Sequence, residues 1–450
     1  MSEIIKIKRG LDIKLLGKAD KTVVTLRSAG LFAVKPTDFI GLIPKLNVKP
    51  GDPVKVGTPL FFDKNRPEIK FVSPVSGTVK DVSRGEKRKV LAVVVESDEK
   101  NECINFQTVD PSSLSRDKVK ELILESGLWP LIRQRPYSVV ANPNQTPNSV
   151  FISGFDTAPL APDLGFIMTD MEREFQTGIN ALKKLTDGKV HLGLPSDATV
   201  SQTMAKATGI ELHYFKGPHP AGNVGIQIHH TSPINKGDLI WVLSPQSVAA
   251  IGKLFLEGKY DNSLTIAVTG AGVSKPAYYK ITRGCSIASL TSDNLIGGEL
   301  RIISGNVLTG TKVLKDGFLC FYDNQLTVIP EGNYFDFLGW ALPGLGKYST
   351  SRSFFSWLTP KKEYSLDTNL NGGERAFVMT GEYEKVLPMD IYPVQLLKAI
   401  LAENVDKMEQ LGIYEVVEED LALCEFVCTS KAEVQLILRK GLDLIKKEME

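Results

Sequence analysis

Cysteine is scarce: five residues in a chain of 450. That number is odd and too small for a disulfide framework, which points to reduced thiols in a cytosolic compartment. Only Cys424 and Cys428 stand close together, in "LCEFVC". Helical spacing would turn them the same way, but an iron–sulfur cluster normally takes four thiolates, so the pair reads as structural. Long apolar runs are missing as well. No window approaches the roughly 18 residues a membrane-spanning helix needs. The opening "MSEIIKIKR" alternates apolar and charged residues as a half-buried strand does, without the apolar stretch of a signal peptide. The expectation is a cytoplasmic protein with no transmembrane segment, attached to any membrane through a partner. Charge of one sign is not in excess either: the formal net charge is +1, no basic block is interleaved with aromatics, and nucleic acid is not an expected partner.

Familiar catalytic signatures are also wanting. The chain has no nucleophile elbow, Ser/His/Asp arrangement or kinase motif. His213, His219, His229 and His230 include no i, i+4 pair with an acidic helper of the kind zinc hydrolases carry, so no metal site is expected. What is present is the composition of an ordinary globular chain, 42% hydrophobic and 23% charged, long enough for several domains.

Four segments differ in period. Residues 1–105 hold short β-branched runs between Gly, Pro and Asp turns, "KPGDPVKVGTPLF", "IKFVSPVSGTVKDV" and "KVLAVVVES", the layout of a barrel-sandwich hybrid like that of biotinyl and lipoyl carriers. In residues 106–258 the period lengthens. Thr169 with Glu172 reads as a capping box, and Phe175, Ile179 and Leu182 then share a helical face between the strands "SVFISG" and "KVHLGL". A second helix is expected near residues 197–208, then the strands "IELHYF" and "DLIWVL" and a helix opened by Ser244 and Pro245, a Rossmann-like alternation that predicts an open, largely parallel sheet. Residues 259–330 return to strands, and residues 331–450 read as mainly helical, with an amphipathic end suited to docking.

Three stretches carry candidate chemistry. Lys64 sits in "DKNRPEIK", where a carrier would attach its swinging arm, but the expected hairpin is lengthened, holds a proline and lacks flanking methionines, so covalent attachment is disfavoured. "GPHPAGNVG", residues 217–225, follows a strand and so falls at the carboxyl edge of the sheet, where α/β folds bind ligands. Its spacing is neither GxGxxG nor GxxxxGK[ST] and no clear helix follows it; it is either a plain turn or a ligand-contacting loop in which His219 donates to a carbonyl or exchanges a proton. "LWPLIRQRPYS", residues 128–138, offers an aromatic, two arginines and a tyrosine. It would line an apolar cleft suited to a quinone ring, or lay its arginines over a domain junction.

Taken in order, the segments resemble the A-subunit family of the bacterial Na+-translocating NADH:quinone oxidoreductases (Na+-NQR). The resemblance is carried by "RSAGLFAVKPTDF", "GPHPAGNVG", "GKLFLEG", "RIISGNVLTGT", "NGGERAFVMTGEYEKVLPMDIYP" and "QLGIYEVVEEDLALCEFVC" across nearly the whole chain. The first part is also similar to the C subunit of the Rnf electron-transport complex and, more widely, to the flavin-bearing subunit of respiratory complex I. The resemblance implies a barrel-sandwich hybrid, a Rossmann-like α/β layer, a β-grasp soluble-ligand-binding domain in residues 259–330, and a C-terminal region in which Cys424 and Cys428 are a remnant of ferredoxin motifs. No "GGAGFPT"-like flavin loop is present, so NADH oxidation, flavins and iron–sulfur centres are expected on other subunits, with no cofactor tightly bound here. "GIQIHH" departs from the Thr-His pair of the resembled family, so Gln227 and His229 receive no ligand role. By that resemblance the chain is a peripheral subunit on the cytoplasmic face of the inner membrane, its partners the membrane-embedded subunits and a quinone such as ubiquinone, in a complex that couples NADH oxidation to Na+ export. No residue is assigned a catalytic role. Quinone or subunit contact falls on Arg133, Arg135, Pro136 and Tyr137 and on His219, Pro220, Ala221, Gly222 and Gly225. The alternative is a purely structural docking subunit.

Overall fold

Beyond residue 30, β-branched and aromatic residues alternate with turn residues, and two sheets close face to face. One contains Leu31–Val34, Val90–Ser97, Gly77–Arg84 and Pro53–Val54; the other contains Pro44–Leu46, Pro59–Asp63 and Arg66–Val72. Phe61 and Phe71 stack at 4.8 Å inside, and Phe39 closes on Phe71 at 4.5 Å. The computed structural model describes residues 4–26, 30–197 and 202–449. In the "SGT" turn Gly77 has φ +151, and a Cβ there would lie 1.9 Å from the Glu96 carbonyl oxygen, so the pairing of its strand with Val90–Ser97 requires glycine. Lys64 is exposed at a hairpin tip, but the hairpin is not lengthened. Only Lys64 and Asn65 separate the strands, and Pro67 lies inside the second of them, because the Asp63–Arg66 ion pair closes the turn at 3.1 Å.

The α/β layer is a seven-stranded sheet in the order Ile4–Lys6, Glu211–Lys216, Lys189–Pro195, Ser149–Ser153, Ile240–Leu243, Arg133–Arg135, Val139–Val140. Its first five strands run parallel, and Arg133–Arg135 and Val139–Val140 are added through antiparallel pairings. Helix Glu172–Leu185 buries Phe175, Ile179 and Leu182 completely. The Thr169–Glu172 capping box does not form. The helix opens at Met171 without a side-chain cap, and Thr169 Oγ1 donates back to Gly165 O, because a short helix, Leu164–Ile167 capped by Asp163, already holds that segment. Helix Pro245–Glu257 is capped by Ser244 as its sequence predicts. Of the helix expected over residues 197–208, the described part is Gln202–Ala205; residues 198–201 lie outside the described residues.

The strands Ile4–Lys6 and Asp20–Thr25 do not join the sandwich that follows them. Ile4–Lys6 pairs with Glu211–Lys216, and Asp20–Thr25 pairs with Ala277–Thr282, so the N-terminus stitches the α/β sheet to a six-stranded sheet built mainly from residues 263–330. A three-residue strand finds its partner by tertiary contact, not by neighbourhood in sequence. The C-terminal part carries the expected helices after a long irregular stretch. Residues 331–382 are largely irregular, with a short 3₁₀ turn at Phe355–Leu358; helices Tyr383–Val386, Pro393–Leu401, Val405–Gln410, Ala422–Val427 and Val434–Met449 follow. "LPGLGKYSTSRSFFSWL" has Pro, Gly and Ser where a helix would need stronger formers. The helices pack through Leu396, Leu397, Leu438 and Leu442 in a core that continues onto the α/β sheet through Phe151 and Ile226.

Candidate functional site

At the carboxyl edge of the parallel sheet, strand Ser149–Ser153 leads to Asp156 and Thr157, and strand Glu211–Lys216 leads to the 217–223 loop. The two loops are hydrogen-bonded together. Gly222 N donates to Thr157 Oγ1 at 2.9 Å, which leaves the threonine hydrogen for His219 Nδ1 at 3.1 Å. His219 N donates to Asp12 Oδ1 at 2.9 Å, and its carbonyl accepts from Leu11 N. A Cβ on Gly222 would come within 2.6 Å of Thr157 N, so the loop closes only with glycine there. Ala221 is fully buried, and Pro220 follows His219 through a cis peptide.

Burial pushes the His219 pKa down to about 4, so its imidazole is neutral near pH 7 and acts as a hydrogen-bond partner, not a cation. Between about pH 6.5 and 4 the unfolded chain carries a proton that native His219 does not, so the native state loses stability as pH falls through that window. His219→Gln removes this contribution. Its thermal midpoint should fall less steeply between pH 6.5 and 4.5 than the parent's, and parallel slopes would refute the assignment.

The loop ends where a helix begins. Val224–Thr231 is helical despite the weak helix formers in "VGIQIHHT", because Ile226 and Ile228 are buried in the core beneath the C-terminal helices. The expectation of no helix is thereby corrected. Such an N-terminus ordinarily favours an anion; here the chain supplies its own. A Cβ on Gly225 would lie 2.4 Å from Asp420 Oδ1 and 2.5 Å from Arg135 Nη1, and Asn223 Nδ2 donates to Glu419 O at 2.9 Å.

Arg135 reaches this point from the antiparallel edge of the sheet, 285 residues away in sequence from Asp420. Its Nη1 donates to Asp420 Oδ2 at 2.8 Å and its Nη2 to Glu419 Oε1. Arg135 and Asp420 are each 2% exposed, so the pair is desolvated on both sides. Burial alone would lower the Arg135 pKa, but the Asp420 and Glu419 carboxylates overcome it and hold it above its ordinary value. Burial raises the Asp420 carboxyl, against the pull of Arg135. Half-buried Asp156, beside Glu419, is raised by burial too. Pro136 follows Arg135 through a cis peptide, Tyr137 has φ +82, and the Tyr137 carbonyl accepts from Arg439 Nη1 at 3.0 Å.

The two candidate stretches therefore meet, through Arg135 and Gly225. Arg133 does not join them; its guanidinium lies 5.0 Å over the Tyr322 ring. Both arginines bridge the α/β sheet to other domains, the junction alternative read from sequence. The carboxylates that complete the cluster, Glu419 and Asp420, were announced by the acidic run in "EVVEEDLALC", read from sequence only as a family marker. His229 and His230 clamp the same helices. His229 takes Asp390 N on Nε2 and faces Glu415 Oε2 with Nδ1 at 2.7 Å, and His230 Nε2 donates to Pro388 O at 2.9 Å. Cys428 accepts from Tyr383 Oη at 2.9 Å, and buried Cys424 is kept protonated by desolvation.

Three family models match this chain: the NqrA N-terminal barrel-sandwich hybrid domain over residues 5–98, the NqrA second alpha/beta domain over 114–260, and the NQRA C-terminal domain over 265–315. Curated relatives, each named as the A subunit of a Na(+)-translocating NADH-quinone reductase, are 38% identical to it. The Rhodopirellula baltica protein aligns over 99% of this chain and 98% of its own length, and the Vibrio anguillarum and Haemophilus influenzae proteins align over 99% and 100%. Among solved structures, an NAD+-reducing [NiFe]-hydrogenase chain is similar at 12% identity with a TM-score of 0.39, covering 75% of this chain and 62% of that one.

Proposed function

Because this chain belongs to the NqrA family, the A subunits of the Na(+)-translocating NADH-quinone reductases, we propose that it is a peripheral component of such a complex on the cytoplasmic face of the membrane, contributing to quinone reduction by docking and positioning. The observation that carries this reading is the Arg135–Asp420–Glu419 cluster. An anionic cofactor at the start of helix Val224–Thr231 would have to displace buried carboxylates already paired with Arg135. In this reading NADH, flavins and iron–sulfur centres belong to neighbouring subunits.

Docking is further supported by the irregular C-terminal segment, where Phe335, Phe337 and Trp340 are 104%, 87% and 80% exposed. Apolar surface of this kind marks an interaction site. Among the described residues no helix is long and apolar enough to cross a membrane; in this reading attachment runs through membrane-embedded partners. Replacing Phe335, Phe337 and Trp340 together by Ser should leave the unfolding midpoint of the isolated chain unchanged and abolish its co-purification with the other subunits. Unimpaired co-purification would place the contact elsewhere.

The same aromatics favour a second reading, a quinone pocket completed only at the boundary between subunits. Titration with a soluble quinone analogue, followed by tryptophan fluorescence, separates the two sites. Saturable binding is expected in the assembled complex and absent in the isolated chain. Binding by the isolated chain that is lost in Tyr137→Ala and His219→Ala would instead place an intrinsic site on the residues chosen from sequence.

A further inference from the structure

Helical spacing is the wrong test for histidines on strands. Glu211 and His213 stand two residues apart in strand Glu211–Lys216 and so share one face of the sheet; His191, directly opposite Glu211 on the neighbouring strand, shares it too. His191 Nδ1 and His213 Nε2 are 2.9 Å apart, and a carboxylate oxygen of Glu211 completes a group whose ligand atoms all lie within 4.8 Å of one another. The Phe151 ring stacks on His191 at 4.4 Å and 6° and holds its imidazole flat. A cleft of about 280 Å³ opens beside His191 between Lys189, Ser149 and Asp238, and Ser149 Oγ is buried in it without a hydrogen-bond partner.

We propose that His191, His213 and Glu211 bind a divalent first-row transition ion of the zinc class, with water from the cleft as a further ligand. Two imidazoles and a carboxylate are a donor set such ions accept. An ion about 2.1 Å from each ring nitrogen would see them at roughly 90°, and widening their separation by about 0.5 Å brings the angle to tetrahedral. The resident competitor is Lys189, ion-paired with Glu211. Its side chain is two-thirds exposed and free to swing into solvent. The other three histidines hold the hydrogen bonds described above and are not available as ligands.

The test is calorimetric titration of the tag-free full chain with Zn2+, in a Cys103→Ser background that removes a half-buried competing thiol, together with the visible absorption of added Co2+. One site is expected. Losing a ligand in His191→Ala or His213→Ala should weaken it by no less than the loss of an outer-shell partner does, about tenfold to a hundredfold. Lys189→Met, which frees Glu211, should tighten binding, while Glu211→Gln weakens it; both positions are solvent-accessible, so these opposed shifts remain readable if a histidine variant misfolds. No saturable Zn2+ binding by the parent, or binding indifferent to all four substitutions, would overturn the site and leave a plain His–His hydrogen bond beside a surface ion pair.

Discussion

Arg135→Ala is expected to loosen the C-terminal helices from the α/β sheet by about 3–5 kcal/mol, the usual cost of breaking a buried ion pair from one side. The wild-type guanidinium satisfies Asp420 and Glu419 at once. Removing it leaves Asp420 fully desolvated beside a second carboxylate, with Oδ1 already lacking a hydrogen-bond partner. Asp420 would then take up a proton, so the variant should recover part of its loss on mild acidification. Amide exchange across residues 413–428 should quicken by about a hundred- to several thousandfold at neutral pH, the kinetic reading of that free energy. Arg135→Met combined with Asp420→Asn removes both charges and keeps an acceptor for Val417 N; most of the stability should return. Exchange rates unchanged by Arg135→Ala would mean that the helices are held by their apolar core alone, and the docking role of the cluster would fall with it.

Gly252→Val is expected to be comparably damaging. Helix propensity by itself says the reverse, since glycine inside a helix costs up to about 1 kcal/mol. Helices Glu172–Leu185 and Pro245–Glu257 cross with their backbones almost touching. A Cβ on Gly252 would lie 1.8 Å from Glu174 O, and one on Gly178 would lie 2.0 Å from Val248 O. Both obstacles are main-chain carbonyls, so no rotamer change relieves them and the helices must separate. Overpacking typically costs about 1–3 kcal/mol, and a Cβ driven into a main-chain carbonyl puts Gly252→Val at or above that upper bound. Gly297, whose Cβ would meet nothing within 4 Å, is the control. Denaturant unfolding should show Gly297→Ala close to the parent and Gly252→Val strongly destabilised; equal midpoints would show that the crossing has slack.

Periodicity is local, and what it controls was legible from the chain. The face Phe175, Ile179 and Leu182, the strand-forming "SVFISG" and "KVHLGL", the Ser244 cap and the turns of the sandwich each depend on residues within a few positions of one another. They formed as their spacing required. The family resemblance, spread over the chain, was legible for the same reason: it is a property of order along the sequence.

Tertiary structure decided what depends on residues far apart. "VGIQIHHT" has little tendency to be helical alone, and became a helix because Ile226 and Ile228 are covered by the C-terminal region. Ile4–Lys6 and Asp20–Thr25 carry ordinary strand patterns whose partners, Glu211–Lys216 and Ala277–Thr282, lie far downstream, and no local signal names them. Arg135 was visible as a candidate; that its charge meets Asp420 and Glu419, filling the helix N-terminus a ligand would otherwise use, was not. His191 and His213 meet only because two parallel strands fall into register. The sequence by itself determined the elements and the family. Which charges pair, which histidines face one another and which crevice is closed by the chain itself were settled by long-range packing, since burial and desolvation exist only once distant segments have come together.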